Sequence, residues 1–276
     1  MKSFFFIFLI LCLFFPTSCN KDLQKIKKPE KNPPLEKLYN AAYKFYEDGD
    51  WNASVETFQR VETLYSFSEW SPRATLMIIY IFYESKDYLN TLEYIKKFKK
   101  LYPKNRNMNY VDFIRALVFY EQITITSRDQ TYALQALKEF TDIIKKYPNS
   151  IYADESRLKI DLVNEQLAGK QIYIARYYMK KSKWIPAIKR LKIIINDYDT
   201  TIYSEEALHR LVEIYYKLGN INEAKKYASI LGYNFNDGSW YKKTYKIVAD
   251  QNYSINEKKT KKKLRDKVKE IFKFSK

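Results

Sequence analysis

The chain has 276 residues, a formal net charge of +17, 46% hydrophobic residues and only five glycines. Such a length can bury a large core, and so little glycine argues against a turn-rich sheet protein and for long helices. Two cysteines, both near the N-terminus, and a single histidine exclude a disulfide scaffold, a zinc-thiolate site and a histidine-based catalytic set.

Residues 1–18 read as a lipoprotein export signal. Lys2 precedes an apolar run from Phe4 to Phe15 that is too short to cross a bilayer, and Pro16-Thr17-Ser18 then leads to Cys19. Thr17 and Ser18 have the small side chains that cleavage needs, whereas Pro16 stands where leucine is usual. Cys19 is therefore the expected lipidation site, and a covalent lipid there is the one attached group expected, with no other cofactor. Removal of the signal takes Cys12 with it, which leaves the folded part without a thiol. Residues 19–34, rich in charge and carrying Pro29, Pro33 and Pro34, form a flexible tether. The positive charge invites a nucleic-acid reading, but an exported, tethered protein meets anionic lipid and protein surfaces first, so no nucleic-acid partner is expected.

From Leu35 to about Tyr253 helical periodicity runs almost without a break, punctuated by turns such as Asp48-Gly49-Asp50 and Tyr147-Pro148-Asn149-Ser150. A degenerate unit of about 34 residues recurs, the length of a tetratricopeptide helix-turn-helix. It predicts an all-α fold, a right-handed α-solenoid of five tetratricopeptide repeats. Small or compact residues at position 20 (Ser54, Thr91, Ala136, Ala187, Ala224) face position 8 of the first helix (Ala42, Ile79, Ala116, Ala175, Val212). Aromatic rings at position 11 (Phe45, Phe82, Phe119, Tyr178, Tyr215) fill the gap beneath. The third unit departs from this pattern: Thr124 to Thr131 lengthens its turn, and Asp112 and Arg115 fall where apolar residues are expected.

Residues 35–150 thus hold repeats one to three, a substrate lobe, and residues 151–181 a long connecting helix whose composition is interrupted only by Gly169. Residues 165–240 hold repeats four and five, a partner-docking lobe, and residues 241–276 a capping helix and a basic tail. That tail, from Glu257 to Lys276, carries ten Lys or Arg against three acids. It reads as a solvated extension, with an interfacial helix built on Leu264, Val268, Ile271 and Phe272 as the alternative.

Positions 2, 5, 9 and 12 of the first helices line the inner face of such a solenoid. In the substrate lobe they bring together Tyr39, Tyr43, Tyr46, Tyr80, Tyr83, Tyr110, Phe113 and Tyr120, a groove suited to an extended peptide. The competing reading is that some of these rings pack between helices in a chain with 26 tyrosines. The same positions of the second lobe include Arg176, Glu206, His209, Glu213 and Tyr216, a mixed and charged docking face on which His209 reads as a solvated residue. No metal cluster, phosphate loop, nucleophile elbow or isolated carboxylate pair is found in the sequence, so no catalytic residue and no enzyme activity are expected.

Four stretches resemble one family in their order and spacing. They are Arg128-Asp129-Gln130-Thr131, Lys146-Tyr147-Pro148-Asn149-Ser150-Ile151-Tyr152-Ala153, Ile174-Ala175-Arg176-Tyr177-Tyr178 and Leu231-Gly232-Tyr233-Asn234-Phe235. The family is BamD, the tetratricopeptide lipoproteins of the outer-membrane β-barrel assembly machine, and the Gly-Tyr-Asn element followed by Ser239-Trp240-Tyr241 is most similar to its alphaproteobacterial branch. The resemblance implies a non-enzymatic subunit anchored by lipid to the periplasmic side of the outer membrane. Its implied partners are the barrel-forming subunit, held through its POTRA domain, other lipoproteins of the machine, and the C-terminal signals of unfolded barrel proteins. Arg190 matches a docking residue of the family, and Arg176 is placed with it on the docking face; the proline that the family carries between the positions of Tyr198 and Asp199 is missing here. Alternatives are another tetratricopeptide lipoprotein, serving cell-wall maintenance or pilus assembly, and an envelope hydrolase.

Overall fold

The computed structural model describes residues 33–124 and 129–249; the export signal, Cys19, Arg128 and the basic tail lie outside the described residues. Eleven helices and no strand are found among them. They are α1 (Leu35–Glu47), α2 (Trp51–Leu64), α3 (Trp70–Glu84), α4 (Tyr88–Leu101), α5 (Met108–Glu121), α6 (Thr131–Lys146), α7 (Ile151–Lys180), α8 (Trp184–Asp197), α9 (Tyr203–Lys217), α10 (Ile221–Asn234) and α11 (Ser239–Ala249). Among the described residues none of these helices is long and apolar enough to cross a membrane.

Local chemistry sets where the helices begin and end. Asp50, Asp87, Ser150 and Asn220 cap α2, α4, α7 and α10 by accepting a backbone N–H three residues on, at 3.1 to 3.2 Å. Within four of the helix pairs the residue just before the second helix's N-cap has a left-handed backbone: Gly49 (φ 78°), Lys86 (φ 60°), Ser182 (φ 55°) and Gly219 (φ 76°). Every second helix closes on an aromatic residue, Tyr65, Tyr102, Tyr147, Tyr198 or Phe235, with φ between −128° and −140°. Three of the hydroxyls reach back to the start of the preceding first helix. Tyr65 donates to the Pro33 carbonyl at 2.6 Å, Tyr102 shares a 2.9 Å bond with Ser71 Oγ, and Tyr147 donates to Asp112 Oδ2 at 3.0 Å.

Packing joins each helix to its neighbours in chain order, and α3, α5, α7 and α9 also touch in succession as one layer. Close approach within a pair is visible where Ser54 Oγ donates to the Ala42 carbonyl at 2.8 Å, both residues being buried. On the second helices Phe58, Phe98, Phe140, Leu191 and Leu231, four or seven residues after the small residue at position 20, are fully buried, each worth roughly 1.5 to 3 kcal/mol of burial. They fall into four clusters strung along the chain, and α7 belongs to two of them: Val163 and Leu167 to one, Ile172 and Ala175 to the next. This helix runs unbroken through the buried Gly169, so the glycine does not interrupt it. At about 1.5 Å per residue it spans some 45 Å and joins these two clusters.

The irregular third unit keeps its register by pairing its charges. Asp112 is buried, yet it accepts hydrogen bonds from Lys99 and Tyr147, and Arg115 meets the buried Glu139 at 2.9 Å. Glu62 is held in the same way by Thr75 and by Lys97, the latter at 2.7 Å. A buried carboxylate left without such partners would cost several kcal/mol, on the order of 3 to 5.

Candidate functional site

The groove residues of the first lobe come from three first helices. Tyr39, Tyr43 and Tyr46 lie on α1, Tyr80 and Tyr83 on α3, and Tyr110, Phe113 and Tyr120 on α5. Tyr43 is exposed at 43%, and the other seven are half-buried. Each ring therefore keeps one side against the protein and leaves part of its surface to solvent.

Contacts link the rings into groups along the layer of first helices. Tyr43 meets Tyr46 at 6.0 Å between centroids, and Tyr46 meets Tyr80 on the next first helix at 6.0 Å. Further along, Tyr110 and Phe113 converge on Tyr152 at 5.8 and 5.2 Å, while Phe113 and Tyr120 rest on the buried Phe140 at 6.0 and 6.2 Å. At the other end Tyr39 packs edge-on to Phe58 at 5.1 Å and Trp70 at 4.8 Å. Sequence reading missed Tyr152 and Trp70. Tyr152 sits in the first turn of α7, which continues the layer of first helices, and its place in that layer was the signal available.

Four of these hydroxyls, those of Tyr39, Tyr80, Tyr83 and Tyr110, are held protonated. A hydrogen bond with Tyr46, reinforced by burial, pushes Tyr80 up to about 12. Burial, with the charges of Glu121 and Glu84 nearby, pushes Tyr83 up to about 12, and burial also raises Tyr110 and Tyr39. At neutral pH they are uncharged groups that both donate and accept, suited to the carbonyls and amides of an extended chain. Lys159 lies over the Tyr120 ring at 4.4 Å, which closes the row on the α7 side.

The docking face expected on the second lobe is largely covered. His209 is 4% exposed and does not stand in solvent as expected: its Nδ1 is 2.7 Å from Thr244 Oγ1 and its ring packs on Trp240 at 4.9 Å. Glu206 and Tyr216 are buried too, and α11 packs against α9, covering His209 with Trp240 and Thr244. Desolvation lowers the His209 pKa to about 4, against an opposing pull from Glu213.

Arg176 is exposed but engaged, since its Nε donates to Glu206 Oε1 at 2.9 Å and its Nη2 pairs with the other carboxylate oxygen. Burial by itself would raise Glu206, yet the bonds and charge of Arg176, with Arg210 behind it, hold its carboxyl below the usual range. Arg190 is half-buried and donates to Gln171 Oε1 at 3.1 Å. The two arginines sit on different helices, α7 and α8.

A sequence profile described as YfiO, Outer membrane lipoprotein, matches residues 31–231. The outer membrane protein assembly factor BamD of Caulobacter vibrioides is 40% identical over 229 residues, which cover 82% of this chain and 75% of that protein. BamD of Rickettsia prowazekii is 38% identical over 217 residues, covering 79% of this chain and 86% of its own length. Among solved structures, the TPR domain of P58(IPK) superposes with a TM-score of 0.39 at 13% identity, covering 81% of this chain and 58% of that one.

Proposed function

This chain belongs to the YfiO family of outer membrane lipoproteins, and on that premise we propose that it acts as an outer membrane protein assembly factor whose aromatic row holds the C-terminal signal of an unfolded barrel protein in extended form. The observation that carries this reading is the set of part-exposed rings that α1, α3, α5 and α7 present in two groups, Tyr43 with Tyr46 and Tyr80, and Tyr110 with Tyr152 and Phe113, with touching centroids 5.2 to 6.0 Å apart. An extended chain repeats the same face about every 6.6 Å. Rings at this spacing therefore meet alternate side chains, while their neutral hydroxyls serve the backbone between.

Tyrosine suits the task because it offers a large area with few rotors to immobilise. The lipid on Cys19 and the tether of residues 19–34 hold the scaffold at the periplasmic side of the outer membrane, where local concentration replaces part of the affinity. The second lobe docks the barrel-forming subunit through its POTRA domain, with Arg190 and Arg176 on the docking side and other lipoproteins of the machine alongside. Neither lobe is assigned a reaction.

The test is a titration of a barrel-signal peptide against the protein and against a Tyr43→Ala, Tyr80→Ala double variant. The variant should bind more weakly by about 1 to 3 kcal/mol in total. Equal affinities would refute the groove.

A further inference from the structure

We propose that a cleft beside the aromatic row, between the first turn of α3 and the turn leading into α5, is a carboxylate pocket that takes the free α-carboxylate at the end of the bound polypeptide. The inference rests on the groove reading and gives the bound chain a direction.

The cleft encloses about 310 Å³. Arg73 and Arg106 stand on its walls with the amides of Asn105 and Asn107, and Leu76 contributes an apolar surface. Neither guanidinium enters an ion pair among the described residues, which is also true of Arg60 and Arg190, whereas Arg115, Arg157, Arg176 and Arg210 are each paired with a carboxylate. Arg73 is instead stacked on Trp70, 5.2 Å from the ring centroid. Asn105 Oδ1 accepts the Asn107 N–H at 2.9 Å, which fixes the turn and leaves the Asn105 amide N–H groups to donate. Two arginines without an ion pair among the described residues, both lining one small cleft, supply the planar donors that a carboxylate takes.

Charge and connection narrow the occupant. Glu69 also lines the cleft, so a singly charged anion is tolerated there better than a phosphate dianion. The cleft lies beside the rings: Trp70, under Arg73, touches Tyr39 at 4.8 Å, and Leu76 packs against the same cluster as Tyr83 and Tyr110. A polypeptide in the row reaches this cleft with its backbone extended. The group that ends such a chain and carries a single negative charge is its terminal carboxylate. Its last side chain then lies over Leu76, and the preceding residues run back toward Tyr80 and Tyr46.

The experiment uses the full acylated protein in detergent micelles and a fluorescently labelled peptide of alternating apolar and polar residues ending in Phe, made as the free acid and as the C-terminal amide. The free acid should bind about tenfold tighter than the amide. Arg106→Gln and Arg73→Gln should each shrink that preference without weakening the amide. Equal binding of acid and amide, with both still weakened by Tyr43→Ala and Tyr80→Ala, would overturn the pocket and leave the groove standing. A preference that survives both arginine substitutions, or an amide peptide restored to full affinity by an internal Glu, would overturn it as well. Failure of both peptides to bind would remove the pocket and the groove together.

Discussion

The two lobes use the same repeat positions to opposite ends. On α1, α3 and α5 the inward positions carry rings that keep part of their surface in solvent, whereas on α9 they carry Glu206, His209 and Tyr216, which are buried. At His209 the difference comes from α11, whose Trp240 and Thr244 close over the ring. A repeat position therefore specifies a direction in the solenoid. Whether that direction is a surface depends on what the chain does afterwards.

The comparison breaks most severely if the support under the rings is removed. Phe140 is fully buried beneath Phe113 and Tyr120, and Leu191 occupies the equivalent repeat position in the second lobe. Phe140→Ala should cost about 3 to 5 kcal/mol and Leu191→Ala about 2 to 5 kcal/mol by urea denaturation. Only the first should also weaken peptide binding under conditions where both remain folded; equal losses of binding would mean that the row is not a local site.

A smaller effect isolates the second lobe. Because His209 is held near 4 in the fold and its unfolded value is near 6.5, the unfolded state binds the extra proton between those values. Stability is thus highest above pH 6.5 and falls as pH drops toward 4, by at most about 3 kcal/mol in all. The chain has a single histidine, so one imidazole NMR resonance reports it. Trp240→Ala should move that titration up toward 6.5, and an unshifted midpoint would contradict the shielding by α11.

The smallest effect lies in the turns shared by both lobes. Lys86 and Ser182 adopt the left-handed backbone that Gly49 and Gly219 adopt in their own pairs. Lys86→Gly and Ser182→Gly should each stabilise by about 1 kcal/mol. Gly49→Ala should cost about as much, through backbone strain alone, because an added Cβ meets nothing within 4 Å. Unchanged denaturation midpoints would show that these turns are not strained.

Short-range patterns in the sequence were enough to find the paired helices, the long α7 and the first-lobe rings. Spacings of three and four mark a helical face, and the Ser54 to Ala42 contact bears out the role of small residues. The aromatic residue that ends every second helix was overlooked because the prolines after Tyr102 and Tyr147 drew attention to the turn and not to the ring before it. The left-handed turns of Lys86 and Ser182 carry no glycine to announce them. The burial of His209 depends on Thr244, 35 residues later, and no local periodicity contains that contact. The pairing of Arg176 with Glu206 spans 30 residues and was hidden for the same reason.

The central claim, that the first-layer rings grip an extended polypeptide, is tested most directly by photo-crosslinking in living cells while barrel proteins are being assembled. A photoreactive residue would replace Tyr43 or Tyr80, with Leu89 and Leu134, exposed apolar residues on second helices, as controls. Crosslinks to unfolded barrel proteins from Tyr43 and Tyr80 and not from Leu89 or Leu134 are the expected result. Equal or stronger crosslinks from the two leucines would contradict the account.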